Sequence, residues 1–126
     1  MSKLAKSFRE LEVYEEAFQF QQELFSASKR FPAEEKFSLT DQVRRSSRSI
    51  GANIAESWAK RRYPAHFLSK LTDADGELQE TFHWISSAAA CGYLSEMEAK
   101  QFNEHGATVG RLLGSTINSY QSFCSP

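Results

Sequence analysis

Residues 42–58 most limit what this chain can fold into, because their apolar residues fit one narrow stripe on a helix. That stripe consists of Val43, Ile50, Ile54 and Trp58, which share one side at helical spacing. The opposite side carries Arg45, Ser49, Ala52 and Glu56. Between the two sides lie small residues, namely Ser46, Ser47, Gly51 and Ala55. Small side chains let another backbone come close, so we expect this helix to be covered on more than one side.

Three further segments show apolar residues at intervals of three or four, which is the pattern of amphipathic helices. The predicted helices span about residues 10–30, 39–62, 65–91 and 96–123. No segment has a strand pattern, and short connections place successive helices antiparallel. The sequence therefore predicts an all-α, antiparallel, up-down-up-down four-helix bundle, with one domain over residues 1–126.

The first predicted helix has two apolar rows side by side. One row contains Leu11, Tyr14, Phe18, Gln21, Phe25 and Ser28. The other row contains Val13, Ala17, Phe20 and Leu24. Together they predict a wide buried stripe of the kind a bundle helix needs.

Residues that start and stop helices mark the boundaries. Gly92 can supply the left-handed residue that ends the third helix. Ser95 and Glu98 have the spacing of a capping box for the fourth. A break, an N-cap and a first-turn proline are expected at Pro32, Ser38 and Pro64, respectively.

Three glycines, Gly106, Gly110 and Gly114, lie four apart on one side of the fourth helix. Each costs about 1 kcal/mol relative to alanine in a soluble helix. Close packing against a neighbouring helix would offset this cost. The alternative is a weak helix end.

Two short motifs resemble metal sites, and both are incomplete. Glu80 and His83 have the Glu-x-x-His spacing of one quarter of a di-iron site, but no second copy is present. Residues 73–77 resemble part of a calcium loop, but Gly76 comes two positions too early. Solvated helix faces are the favoured interpretation of both. With no nucleophile elbow and no phosphate loop either, we expect no enzymatic activity and no cofactor or metal.

No apolar run approaches the roughly 20 residues that a membrane span needs. The N-terminus lacks the apolar region of a signal peptide. Cys91 and Cys124 have no metal-type spacing and are expected to be free thiols in a reducing compartment. The chain is therefore predicted to be cytoplasmic and not associated with membranes.

Charge is distributed unevenly along the chain. Residues 36–62 hold seven basic and two acidic residues, which is a net charge of +5. Since the whole chain has a net charge of −1, the other residues together carry −6. The candidate nucleic-acid residues in this segment are Arg44, Arg48, Lys60, Arg61 and Arg62. Against that role, the sequence pI is about 6.3, whereas dedicated binders usually exceed about 9. Asp41 can also pair locally with Arg44 or Arg45, and the three cations that end the helix favourably meet its dipole.

Arg45 and Glu56 share one side of the second helix but lie roughly 16 Å apart along its axis, so they cannot pair with each other. Each needs a partner on another helix or on a second subunit, because burying an unpaired charge is costly. The favoured hypothesis is an oligomer seam, with the chain as its own partner. The alternative is a buried polar network within one subunit. The residues concerned are Gln42, Arg45, Ser49, Asn53 and Glu56.

Several of these residues also carry a resemblance to a known family. The most specific element is the run Asn53-Ile54-Ala55-Glu56 with Gln42 and Arg45 upstream. Further matches, in order, are Phe31-Pro32, Glu35, Phe37, Leu39-Thr40, Ser49-Ile50, Phe67-Leu68, Glu80-Thr81 and Gly92-Tyr93-Leu94. From Leu11 to about Leu113, the chain resembles the four-helix-bundle proteins known from intervening sequences in bacterial 23S ribosomal RNA genes.

The resemblance implies a bacterial cytoplasmic bundle that assembles as a ring, typically a homopentamer, without enzymatic activity. A related branch, the accessory proteins of diversity-generating retroelements, forms similar barrels. Those proteins are basic and associate with a reverse transcriptase and nucleic acid. The expected function is thus non-catalytic self-assembly, and the alternative is a nucleic-acid-binding accessory subunit acting with a reverse transcriptase or RNA.

The chain departs from the family pattern in two places. Ser57 stands where the family usually has glycine, and Asp75-Gly76-Glu77 replaces a small Gly-Ser pair in the third helix. The second change makes that helix more acidic. It therefore weakens the case for a nucleic-acid role of the retroelement type.

Overall fold

A computed structural model describes residues 5–124 of the chain. Four α-helices dominate it: α1 (Glu12–Ser28), α2 (Leu39–Ala59), α3 (Pro64–Ala90) and α4 (Glu96–Asn118). Short 3-10 helices lie at Phe8–Glu10, Ala33–Glu35 and Tyr120–Phe123. The described residues contain no strand, and the predicted four-helix bundle is confirmed.

Each helix packs against two others, because α1 and α3 both lie between α2 and α4. Residues that touch across a helix pair occur in opposite chain order. Arg45 meets Glu80, whereas Glu56, further along α2, meets Lys70, earlier on α3. The same reversal holds for the contacts of α1 with α2, α1 with α4 and α3 with α4. Neighbouring helices are therefore antiparallel.

The core fills the space between the four helices with side chains from all of them. Fully buried residues include Phe20, Ile50, Phe67, Leu78 and Leu113, each of which stabilises the fold by about 1.5–3 kcal/mol through burial. No helix within residues 5–124 is both long and apolar enough to cross a lipid bilayer.

Three of the four small residues of α2, namely Ser46, Ser47 and Gly51, are buried by neighbours in the same chain, and Ala55 is half-buried. The Ser46 hydroxyl shares a hydrogen bond of 2.8 Å with the hydroxyl of Thr81 on α3. A Cβ atom at Gly51 would lie 3.5 Å from the Tyr14 ring on α1. The prediction that α2 is covered on more than one side is therefore confirmed, and α1 and α3 supply this cover.

One of the two apolar rows of α1 lies wholly in the core, whereas only the ends of the other row, Leu11 and Ser28, are buried. Val13, Ala17, Phe20 and Leu24 are buried. In the other row Tyr14 and Phe25 are half-buried, and Phe18 is 45% exposed. The predicted wide buried stripe is thus wrong for these three aromatic residues, because α2 and α4 pack mainly against the other row.

Local chain signals set the turn between α3 and α4. Gly92 has φ of 79°, and the amide of Tyr93 donates to the carbonyl of Ala88 at 2.9 Å. This pattern is a Schellman motif, which satisfies carbonyls left free at a helix end. Ser95 and Glu98 then form the predicted capping box at the start of α4.

Several helix ends differ from the prediction. α1 spans 12–28 rather than 10–30, and α4 ends at residue 118 because 120–123 form a 3-10 turn. α2 ends at Ala59 rather than 62, since Tyr63 must be extended before Pro64 and the chain needs residues 60–62 to turn. Ser38 occupies the N-cap position of α2, but its side chain makes no cap hydrogen bond to the helix.

The three glycines of α4 have different surroundings. A Cβ at Gly106 would lie 2.8 Å from Phe82 Cζ, which is closer than real Cβ atoms pack, and 3.2 Å from Phe20 Cζ, which is tighter than most real contacts. At Gly110 the nearest atom would be a leucine methyl at 3.4 Å, and at Gly114 nothing lies within 4 Å. The predicted close packing is confirmed at Gly106, whereas Gly114 has no such contact.

Candidate functional site

The edge of α2 that faces α3 contains a paired arginine. The guanidinium of Arg45 bonds Glu80 and lies 3.4 Å from a carboxylate oxygen of Glu77. Burial acts to lower the pKa of Arg45, but the Glu80 hydrogen bond and the charges of both glutamates outweigh it and raise that pKa. Arg45 therefore remains a cation whose charge is compensated within its own chain.

Glu80 is committed to structural contacts. Its carboxylate accepts a hydrogen bond of 3.1 Å from the indole N–H of Trp84. That bond lowers the pKa of Glu80; burial acts in the opposite direction, and Arg45 lowers the pKa further. His83 is exposed and packs against the Trp84 ring at 4.8 Å. Within residues 5–124, no group of three or more His, Cys, Asp or Glu side chains is arranged to hold a metal ion.

A second ion pair lies at the other end of the edge of α2 that faces α3. The Lys70 ammonium lies 3.0 Å from Glu56 and 3.8 Å from Asp73. The hydrogen bond and charge of Glu56 raise the pKa of Lys70. Both charged seam candidates of α2, Arg45 and Glu56, thus find their partners on α3.

The three uncharged seam candidates make contacts within α2. Ser49 donates to the carbonyl of Arg45 at 2.8 Å, and Asn53 donates to the carbonyl of Ser49 at 2.9 Å. The Gln42 side chain accepts a long bond of 3.4 Å from Arg45. All five seam candidates lie along one edge of α2, as the sequence predicts. Their partners lie within one subunit, at the surface rather than in a buried network. Contact with a second copy stays a prediction.

The opposite edge of α2, facing α1, borders an open groove with an aromatic wall. The rings of Phe8, Tyr14 and Phe18 follow one another, with centroid separations of 4.8 and 6.1 Å. The floor consists of small α2 residues, namely Gly51, Ala52 and Ala55. We call this feature the aromatic groove; Arg48 lines one end of it.

Three cations surround one phenylalanine beside this groove. The charged groups of Arg44, Lys29 and Arg48 lie 4.6, 4.9 and 5.3 Å from the centroid of the Phe25 ring. We call these four residues the Phe25 cluster. Within residues 5–124, none of the three cations lies within 4.0 Å of a carboxylate. The predicted local pairing with Asp41 is therefore not formed.

The remaining basic candidates lie at the far end of α2. Arg61 covers the Trp58 ring at 3.6 Å and donates to the Trp58 carbonyl at 2.9 Å. Lys60 and Arg62 lie with it in the turn after α2 rather than in its last helical turn. Arg44 lies about 22 Å along the helix axis from Ala59, the last residue of α2, at 1.5 Å per residue. The five candidate nucleic-acid residues thus form two separate groups.

Sequence reasoning missed a histidine clasp between α1 and α4. The two ring nitrogens of His105 lie 3.0 Å from Glu16 and 2.7 Å from Glu23. From the sequence alone His105 is isolated. The available signal was the seven-residue spacing of Glu16 and Glu23, which places both on one side of a helix.

Comparison with known proteins matches residues 9–115 to the model of the family described as 23S rRNA-intervening sequence protein. The chain belongs to this family. A crystal structure described as a protein with unknown function from the S23 ribosomal protein family of Bacteroides thetaiotaomicron VPI-5482 is 28% identical to it. The match has a TM-score of 0.76 and covers 85% of this chain and 96% of that one. No curated protein matches the sequence.

In this family member, two residues of the recognised pattern meet in space. The Tyr93 hydroxyl donates to Glu35 at 2.9 Å, and Glu35 also accepts from the Ser38 hydroxyl and the Leu39 amide. The Ser38 bond, then the Tyr93 bond, lower the pKa of Glu35, and Glu35 raises the pKa of Tyr93 to about 12. Glu35 thus caps α2 and ties it to the turn before α4, which is an architectural role.

Proposed function

We propose that this family member is a non-catalytic bundle that assembles with copies of itself into a ring, of five subunits as the family resemblance implies. The observation that carries the proposal is the exposed side of α2. At its middle stands Ala52, which is exposed and borders the aromatic groove together with half-exposed Phe18. Small side chains allow a helix of a second copy to approach, and Phe18 offers apolar area to bury.

The ion pairs of the neighbouring edge support contact across it. Arg45 and Glu56 each have a partner on α3. Covering a paired charge costs less than covering an isolated one, because the partner replaces part of the lost hydration. A second copy can therefore cover this edge without supplying counter-charges. The proposed seam consists of this polar edge and the part of the aromatic groove beyond Arg48.

Assembly into a ring determines which surfaces meet at the seam. Rings form when two different surfaces of the same chain meet and the rotation closes. The exposed side of α2 is one of those surfaces, and a different face of the next copy is the other. Changes confined to α2 should therefore disrupt every contact in the ring.

The test is the native mass of the full chain and of Ala52→Glu by size-exclusion chromatography with light scattering. The full chain is expected at about five times the 14.3 kDa subunit mass, and the longer side chain at position 52 should shift it toward monomer because it would hold the helix of a second copy away from the small residues of α2. The matched control is Ala65→Glu, which adds the same group at an exposed position in the first turn of α3. A monomeric full chain at micromolar concentration would contradict the proposal.

A further inference from the structure

The Phe25 cluster concentrates positive charge, and no carboxylate of the described residues lies within 4.0 Å of it. Other cations nearby on the chain have carboxylate partners: Arg30 bonds Glu98, and Arg45 bonds Glu80. Lys29 and Arg44 are the immediate sequence neighbours of these paired arginines, and neither has such a partner within 4.0 Å. Three like charges around one ring repel each other. Folding therefore brings together a site that an anion would stabilise.

The cluster is also ordered before any ligand arrives. The Arg44 Nε donates to the Ser28 hydroxyl at 2.7 Å while its guanidinium covers Phe25 at 4.6 Å. This leaves the terminal nitrogens of Arg44 available for two-pronged hydrogen bonds to an oxyanion. Arg48 follows one helical turn later, about 6 Å away. Restricting these long side chains in advance lowers the entropy lost on binding.

We propose that the Phe25 cluster binds the phosphodiester backbone of a nucleic acid, without regard to base sequence. Arginine and lysine contacts to phosphate are the sequence-independent part of nucleic-acid binding. Successive arginines one turn apart suit a ligand that repeats its negative charge along a line, whereas a single carboxylate would leave two of the three cations unneutralised. The site lies within one subunit, so it does not depend on self-assembly.

The same cluster is an unsuitable place for an apolar contact. Burying three unpaired cations against a second copy is costly unless that copy supplies carboxylates. The competing occupant is therefore an acidic protein segment, from a neighbouring copy or another protein. An RNA probe tests for a phosphate ligand, and a polyglutamate peptide tests for a carboxylate ligand. The two possibilities can therefore be distinguished.

The experiment measures binding by fluorescence anisotropy of a short labelled RNA of mixed sequence, with single-stranded and duplex DNA of the same length as further arms. Arg44→Gln is expected to weaken binding about tenfold, the loss of one charge-assisted contact. The triple variant Lys29→Gln/Arg44→Gln/Arg48→Gln should lower the slope of log affinity against log salt by about 2, at about 0.7 for each lost contact to a single strand. A thermal melt of each variant verifies that it folds.

Two control variants locate the effect. Arg30→Gln removes a charge next to Lys29 that is already paired with Glu98, and Arg61→Gln removes one from the far basic group. Both should bind within about twofold of the unaltered chain. The proposal is overturned if either control loses as much affinity as Arg44→Gln, if no nucleic acid binds at low salt, or if a polyglutamate peptide of matched charge binds more tightly than the RNA. The native mass, measured in parallel, reports separately on self-assembly.

Discussion

Two adjacent arginines on opposite edges of α2 have opposite electrostatic surroundings. Arg45 turns toward α3 and meets two glutamates. Arg44 turns toward α1 and shares an aromatic ring with two other cations. One residue along a helix is a rotation of about 100°, and here it separates a compensated charge from an uncompensated one. The net charge of a segment therefore says little about where a binding site lies.

The largest expected effect comes from reversing the charge of Arg45, on the edge of α2 that faces α3. We call this the compensated edge, because its charges are paired. Arg45→Glu removes two ion pairs and places a third carboxylate beside Glu77 and Glu80, so it should lower the free energy of unfolding by about 2 kcal/mol. Arg44→Glu should cost clearly less, because the new carboxylate faces Lys29 and Arg48. Urea unfolding of both variants at one protein concentration is the measurement. Equal losses would show that the two edges are electrostatically alike.

Removing the shared ring should have the next largest effect. Phe25→Leu keeps an apolar side chain but deletes the surface over which three cations lie, and we expect a loss of about 1 kcal/mol. The loss should be greater at low salt, where the cations repel most strongly. Phe37→Leu is the matched control, since Phe37 is 87% exposed and has one cation, Lys36, over its ring. If both substitutions cost the same, the ring does not hold the cluster together.

Acid should weaken the compensated edge selectively. The pKa of Glu80 is lowered from its ordinary 4.5, so its contribution to stability is complete above pH 4.5 and is lost as the pH falls through the lower, folded-state pKa. Glu80→Gln should lower the free energy of unfolding by under about 1 kcal/mol at neutral pH. It should also reduce the fall in that free energy at acidic pH, which we call the acid limb. Glu35 and Glu98 share the sign of this shift, so the limb should persist in part. An unchanged limb would mean that Glu80 contributes nothing to it.

The smallest expected effect is a gain. Lys29→Gln relieves repulsion within the Phe25 cluster, so it should raise the free energy of unfolding by about a few tenths of a kcal/mol at low salt. That gain should disappear at high salt, where the charges are screened. Thermal melts at low and high salt, with Arg30→Gln alongside, measure the difference. A loss of stability at low salt would show that the contact of Lys29 with the Phe25 ring outweighs the repulsion.

The fold follows closely from local signals in the sequence. Gly92 needs a left-handed backbone, and Ser95 with Glu98 has the spacing of a capping box; each acts within one turn of chain and each is observed. The two apolar rows of α1 could not be ranked in this way. Both have helical spacing, and the choice between them depends on where α2 and α4 lie. That information is tertiary, and it decides that Phe18 is exposed and Phe25 is only half-buried.

The same limit applies to the candidate site. The residues along the polar edge of α2 could be chosen from periodicity, and the sequence required partners for Arg45 and Glu56. It could not say which helix supplies them, because Glu77, Glu80 and Lys70 lie 14 to 35 residues further along the chain. The clasp at His105 connects residues 82 to 89 apart, so it is still less visible from sequence.

Gly106 determines the spacing of α4 from the rest of the bundle. Ring atoms of Phe20 on α1 and Phe82 on α3 occupy the space that any side chain there would need. Even alanine would require the rings of Phe20 and Phe82, or α4 itself, to shift, so the close approach of three helices here depends on a missing methyl group. A single substitution at this position would be felt on three of the four helices, although it changes no charge and no polar contact.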